Sequence, residues 1–165
     1  MEQHKRNFIR IINCNQGIIK SLCKAYYTSF EDQKDAFQDI VLQLWRSFDN
    51  FRGECEISTW IYRVSLNTLL GRARKEKHNI ATEPINDVET AFVPAMADSD
   101  TELLQLVLRT LQGTDKAIVI LFLEGYKHKE IAQMLNLTVT NVSTKLNRVK
   151  ETLKAKFKNH LHECK

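Results

Sequence analysis

The stretch KHKEIAQMLNLTVTNVSTKLNRVKETL, Lys127 to Leu153, decides how the chain folds. Ile131, Ala132 and Leu135 recur at helical spacing and predict a short helix from His128 to Leu135. A turn follows at Asn136-Leu137, where Asn is one of the few residues that tolerates a positive φ. Thr138 can cap a second, longer helix with Val142, Leu146, Val149, Leu153 and Phe157 along one face. The small Ala132 lets the two helices cross closely, so the pattern is a helix-turn-helix. Away from the apolar stripe the longer helix presents Thr140, Ser143, Thr144, Asn147 and Arg148, with Asn141 and Lys145 on its flanks. Hydroxyls, amides and cations of this kind read base edges and grip phosphates; the plainer alternative is a solvated polar face on a helical hairpin.

Working outward, Leu104, Val107, Leu108 and Leu111 continue the helical pattern upstream, and a further helix is expected from about Asp115 to Leu123, closed by Glu124-Gly125. Between His78 and Ser99 the periodicity fails, both prolines (Pro84 and Pro94) appear, and no Lys or Arg occurs from residue 79 to 108. That composition predicts a flexible acidic linker over residues 79–101. Before it, residues 7–27 predict a helix or helix pair interrupted near Gly17. In 36–48 the set Ala36, Phe37, Ile40, Val41, Leu44, Trp45 and Phe48 predicts one amphipathic helix with Asp35, Gln38, Asp39 and Gln43 on its other side. After a turn at Phe51-Arg52-Gly53-Glu54, Ser58 and Thr59 are candidate caps of a helix running to about Lys77, with Trp60, Ile61, Val64 and Leu69 as apolar anchors. No period-two run bounded by turn residues occurs. The expected fold is therefore all-α: two small helical domains, 1–78 and 102–165, joined by the linker, the second containing the helix-turn-helix.

Composition narrows the function classes. The 165 residues carry 24 Lys plus Arg against 20 Asp plus Glu and are 43% hydrophobic, a globular profile too small for a large sheet-based catalytic scaffold. Charge is divided along the chain: residues 1–78 sum to +4, 79–126 to −6 and 127–165 to +6. Two basic blocks flanking an acidic one suit polyanion binding. The four cysteines form no CxxC pair and the opening MEQHKRNFIR lacks a signal-peptide apolar run, so a reduced, cytoplasmic setting is expected. The longest apolar run, Ala117 to Leu123, falls far short of a membrane span. No nucleophile elbow, phosphate-cradling glycine loop or HExxH motif is present, so neither catalysis nor a cofactor is expected. His160, His162 and Cys164 form the one metal-like cluster, with no fourth ligand to complete it, and no metal site is expected.

Taken together, the two halves resemble the bacterial RNA polymerase sigma factors of the sigma-70 class, specifically the compact extracytoplasmic-function (ECF) group. Asp35-Ala-Phe-Gln38-Asp39-Ile-Val-Leu-Gln-Leu-Trp45 resembles that family's D-L-V-Q-E-x-F-L-x-L-W core. Phe51-Arg52-Gly53 and Ser58-Thr59-Trp60-Ile61-Tyr62-Arg63-Val64-Ser65-Leu66-Asn67 are similar to its F-R-G and T-W-L-Y-R-I-A-x-N stretches. Leu123-Glu124-Gly125-Tyr126-Lys127-His128-Lys129-Glu130-Ile131-Ala132 resembles the segment leading into its helix-turn-helix. Asn136 replaces the family's turn glycine, and Asn141-Val142-Ser143-Thr144-Lys145 stands where Thr-Val-Lys-Ser-Arg is common.

The resemblance implies a transcription initiation factor that binds core RNA polymerase, opens the −10 promoter element through its first domain and reads the −35 element through its second. On that mapping Asp35, Gln38 and Asp39 meet the clamp of the largest polymerase subunit. Trp60, Tyr62, Arg63 and Asn67 surround the melted −10 strand, although Trp60 also suits the core, and the loop from Phe51 to Ile57 would hold a flipped base. Arg72, Arg74 and Lys75, with Lys77, suit duplex phosphates just upstream. Thr138, Thr140, Asn141, Ser143, Thr144, Lys145 and Arg148 face the −35 duplex. An anti-sigma factor is implied as a further partner. The competing reading is a stand-alone helix-turn-helix regulator with an N-terminal interaction domain, which leaves the first half unexplained.

Overall fold

A computed structural model describes residues 2–80 and 107–157. The chain divides into two compact units, Met1–Ala95 and Met96–Lys165. Among the described residues all regular structure is helical. The predicted linker and Leu104 lie almost wholly outside the described residues, as does the His160, His162 and Cys164 cluster; among the described residues no group of three or more His, Cys, Asp or Glu side chains could hold a metal ion. No described helix is long and apolar enough to cross a membrane.

The first unit is built from α1 (Glu2–Tyr26), α2 (Phe30–Phe48) and α3 (Ile57–Ile80), each packed on the other two. The interruption expected at Gly17 does not occur: α1 is continuous. Glycine in a helix interior costs roughly 1 kcal/mol relative to alanine. Burial of Ile12 and Ile19 on either side, each contributing about 1.5–3 kcal/mol, outweighs that cost. Helix α2 starts six residues before the expected position because Ser29, extended at φ −71°, accepts a hydrogen bond from the Asp32 amide at 3.4 Å, with Glu31 and Asp32 in the first turn. Ala36, Ile40, Leu44 and Phe48 form its buried stripe at strict four-residue spacing.

Ser58 and Thr59 do not cap α3. They lie inside its first turn, where the Trp60 amide already donates to the Glu56 carbonyl at 3.1 Å. The helix buries Trp60, Ile61, Tyr62, Ser65, Leu66, Leu69 and Leu70; Val64, expected as an anchor, is only half-buried. An aromatic chain ties the three helices together. Phe8 meets Trp45 and Phe48 at 5.0 and 5.2 Å, and Trp60 meets Phe48 and Phe51 at 6.1 and 5.1 Å between ring centroids. The Phe51 contact pins the loop between α2 and α3, whose turn uses a positive φ at Gly53.

The second unit comprises helical residues 107–110, then α4 (Gly113–Leu123), α5 (His128–Leu135) and α6 (Val139–Phe157). Residues Lys116–Leu121 of α4 are all buried, so this short helix is the centre on which α5 and α6 pack. Its end is closed by the Tyr126 amide donating to the Leu121 carbonyl at 3.1 Å, with Gly125 at φ 91°. Asn136 adopts φ 55°, ψ 49°, and the Leu137 amide donates to Ala132 at 2.8 Å, as the turn reading requires. Thr138 caps α6 by accepting from the Asn141 amide at 3.1 Å. Val142, Leu146 and Val149 are buried and Leu153 is half-buried.

The cost assigned to Gly17 is directly measurable. A Cβ built there meets nothing within 4 Å, so Gly17→Ala is expected to raise stability by about 0.5–1 kcal/mol in urea unfolding; a loss of stability would mean that α1 needs the glycine.

Candidate nucleic-acid and polymerase interfaces

In the second unit the residues expected to face duplex DNA separate into three groups. Thr140, Asn141 and Thr144 are exposed on the N-terminal half of α6, where hydroxyl and amide groups can donate to and accept from base edges. Thr138 is exposed, but its hydroxyl serves the helix cap, and the half-buried Ser143 hydroxyl bonds the His128 ring at 3.0 Å. That bond joins α5 to α6. Lys145 and Arg148 are not simply solvated: they lie 3.1 and 2.7 Å from the two carboxylate oxygens of Asp115 in α4. The buried Lys116 next to Asp115 has its pKa lowered, by burial first and by the charge of Arg109 second.

In the first unit the helical register of α3 turns Tyr62 inward and puts Trp60 in the core, the alternative already open for it. Trp60 and Tyr62 are 2% and 9% exposed, so neither ring is available for base stacking; both belong to the core. Arg63, Asn67, Arg74 and Lys75 are exposed as expected, spaced so that they form a polar stripe along the helix. The Asn67 amide also donates to the Arg63 carbonyl one turn back, at 2.8 Å. Beside the stripe runs a groove of about 550 Å³ between α2 and α3, lined by Asp39, Gln43 and Ser47 on one side and Arg63, Asn67, Thr68, Arg72 and Lys75 on the other.

Arg72, expected on duplex phosphates, is engaged inside the unit. Its Nη1 donates to Asp39 Oδ2 at 2.5 Å, its Nε donates to the Tyr27 hydroxyl at 3.1 Å, and the Glu76 carboxylate lies 3.5 Å away. The guanidinium also stands 5.2 Å from the Tyr27 ring centroid, so α2, α3 and the residue that follows α1 meet at one cation. Burial opposes the charge on Arg72, but the bonds to Asp39 and Tyr27 outweigh it and hold the pKa above its ordinary value. Tyr27 is pushed up by burial, only partly offset by the Arg72 bond. Asp39, expected on the polymerase face, is thereby half engaged inside the unit. No local pattern announces this network, because its members are 33 and 45 residues apart.

Asp35 and Gln38 stand exposed on the outer side of α2. Next to them is a feature that the apolar pattern concealed. Trp45, read as part of the buried stripe, is 40% exposed, and Leu42 and Ile9 are 45% and 46% exposed. With Phe8, Phe37, Val41, Gln38 and Lys5 they line a groove of about 440 Å³ between α1 and α2. Contiguous exposed apolar surface of this kind is where a partner could bury area.

Comparison with known proteins accounts for both units. A sequence model of Sigma-70 region 2 matches residues 11–79, and one of Sigma-70, region 4 matches residues 101–153. The chain belongs to the sigma-70 family. The two matches span about three quarters of it and fall one in each compact unit. Among its relatives, the ECF RNA polymerase sigma-E factor of Haemophilus influenzae is 26% identical over 172 residues, covering 93% of this chain and 88% of the relative. The sigma-E factor of Escherichia coli is 27% identical over 153 residues, covering 84% and 80%. The fold resembles the sigma factor RpoE solved in complex with the anti-sigma factor NepR from Bartonella quintana, with a TM-score of 0.68 at 13% identity over 96% of this chain and 98% of that one. CnrH, solved in complex with the cytosolic domain of CnrY, gives 0.60 at 18% identity over 94% and 90%.

The Arg72 network gives this sigma factor a measurable signature. Arg72→Ala leaves Asp39 and Tyr27 without their shared partner and is expected to lower stability by about 1–2 kcal/mol in urea unfolding. Unchanged stability would return Arg72 to the role of a solvated phosphate contact.

Proposed function

We infer that the protein directs core RNA polymerase to specific promoters, and the observation that carries this reading is the pairing of region 2 and region 4 matches on two separately packed helical units. As a sigma-70 family member it is a promoter-recognising initiation factor and not a stand-alone regulator; the first unit, unexplained on the regulator reading, is the polymerase-facing part of the family pattern. It is no enzyme: it changes which DNA the polymerase opens through binding energy alone. Its site of action is the cytoplasm, where the polymerase works.

The division of labour within the chain is our proposal. Residues 1–78 form the region 2-like domain, 79–101 the linker and 102–165 the region 4-like domain. Asp35 and Gln38 contact the polymerase clamp, and the apolar groove at Ile9, Leu42 and Trp45 adds buried area to that contact. Asp39 acts there mainly by positioning, since Arg72 already holds it. Arg63 and Asn67 face the melted −10 strand, where the amide reads a base edge and the guanidinium stacks or pairs with phosphate. The half-exposed loop from Phe51 to Ile57, anchored through Phe51, is placed to hold an extruded base. Arg74 and Lys75 follow on the duplex backbone. In the second domain Thr140, Asn141 and Thr144 read the −35 bases, and Lys145 and Arg148 reach phosphates only once released from Asp115. The likeness to RpoE, solved with the anti-sigma factor NepR, supports a protein inhibitor that competes for these faces.

The reading is tested by initiation on a promoter library with purified core polymerase, with and without the protein. New starts sharing −10 and −35 sequences are expected; no new starts, together with tight duplex binding by the protein alone, would favour a regulator. In the same assay Asp35→Arg is expected to weaken core binding about tenfold with an unchanged melting temperature, and an unaltered affinity removes Asp35 from the polymerase contact. Asn67→Ala is expected to lower open-complex formation roughly tenfold at constant core affinity; loss of core affinity instead moves Asn67 to the polymerase face.

A further inference from the structure

The helix offered to duplex DNA has two of its cations turned toward a carboxylate of the same unit. Asp115 lies in the first turn of α4, its Oδ1 3.1 Å from Lys145 Nζ and its Oδ2 2.7 Å from Arg148 Nη2. The Asp115 and Lys145 side chains are only 24% and 27% exposed, whereas Arg148 is 64% exposed. The other acidic residues between 107 and 157 are placed differently. Glu130 accepts from the Lys127 amide, Glu151 pairs with Lys154 along α6, and Glu124 stands exposed at the far end of α4. Asp115 is thus the acid that reaches from another helix to the cations next to Thr144.

A carboxylate bridging two cations satisfies them much as a duplex phosphate does, through charge-assisted hydrogen bonds. Its place at the N-terminal turn of α4 stabilises the negative charge further. For Lys145 or Arg148 to grip a phosphate, the Asp115 contact must be given up, and the carboxylate is then left facing a polyanion.

We propose that Asp115 is an internal phosphate surrogate that keeps Lys145 and Arg148 off the backbone of non-specific duplex. The proposal rests on the reading that α6 engages DNA, and it goes further by naming what limits that engagement. Phosphate contacts supply affinity without sequence information. Withholding two of them lowers binding to arbitrary DNA and leaves a larger share of recognition to Thr140, Asn141 and Thr144.

The test uses the full chain and a mixed-sequence duplex, with affinity followed by fluorescence anisotropy across a salt series. Asp115→Asn is expected to bind on the order of tenfold more tightly at low salt, with the plot of log affinity against log salt steeper by about 0.9–1.8, the slope of one to two added phosphate contacts. Glu124→Gln makes the same change of net charge outside the Asp115, Lys145 and Arg148 cluster and is expected to leave the slope as in the wild type. Adding Lys145→Gln and Arg148→Gln to Asp115→Asn is expected to restore the wild-type slope. An unchanged slope in Asp115→Asn, an equal effect of Glu124→Gln, or weaker binding by Asp115→Asn would each overturn the proposal, the last by showing that Asp115 aligns the cations for phosphate. If Asp115→Asn does not fold, the Lys145→Gln/Arg148→Gln variant decides in the wild-type background: an unchanged slope supports the surrogate, and a slope flatter by about 1.8 overturns it. Absence of duplex binding by wild type and Asp115→Asn alike, with wild-type melting curves for both, would overturn the α6 reading itself and the surrogate with it.

Discussion

Everything in the first unit follows from how α3 is locked against α1 and α2. Trp60 sits between Phe48 and Phe51, while Ile61, Leu66, Leu69 and Leu70 continue the buried surface down the helix. Since each residue advances a helix by a fixed rotation, fixing that face fixes every other side chain on α3. Arg63, Asn67, Arg74 and Lys75 are left in solvent, and Arg72 turns toward Tyr27 and Asp39. The buried aromatic chain therefore supports the polar stripe without belonging to it. The same constraint turns Trp60 and Tyr62 into the core.

Both units hold part of their positive charge internally. In the first, Arg72 ties α3 to α2 through Asp39 and to the end of α1 through Tyr27; in the second, Asp115 joins α4 to α6 through Lys145 and Arg148. A small helical unit has a limited core, and a partly buried ion pair between helices fixes their relative placement at modest net energy. For a chain proposed to bind nucleic acid, such pairs have a second effect. They separate cations that meet a polyanion at once from cations that must first give up an internal partner.

The comparisons show how loosely this architecture constrains identity. A TM-score of 0.68 is reached at 13% identity, because three packed helices with alternating stripes of apolar and polar residues can be written in many sequences. What must be kept is the spacing. Ala36, Ile40, Leu44 and Phe48 illustrate it, since moving any one of them by a single position would turn it about 100° out of the buried stripe, toward Asp35 and Asp39 or toward Phe37 and Val41.

Much was legible in the one-dimensional pattern: the all-helical class, the α5–turn–α6 motif with Asn136 in the left-handed region, the Thr138 cap, and the exposed placement of Asp35, Gln38, Arg63, Asn67, Thr140, Asn141 and Thr144. These depend on residues close together in the chain, where period and capping chemistry operate. Other features were not legible locally. Trp45 and Val41 fit the apolar stripe of α2 as well as Leu44 does, yet they line an open groove, because only the position of α1 decides how much of that stripe is covered. Gly17 reads as a break until the buried contacts on either side of it are known. Asp39 and Tyr27 beside Arg72, and Asp115 beside Lys145 and Arg148, lie 30 or more residues away, so a cation that periodicity places outward is claimed by a carboxylate on another helix. Local sequence sets which face of a helix a side chain occupies, through the fixed rotation per residue; only packing between helices sets what that face meets.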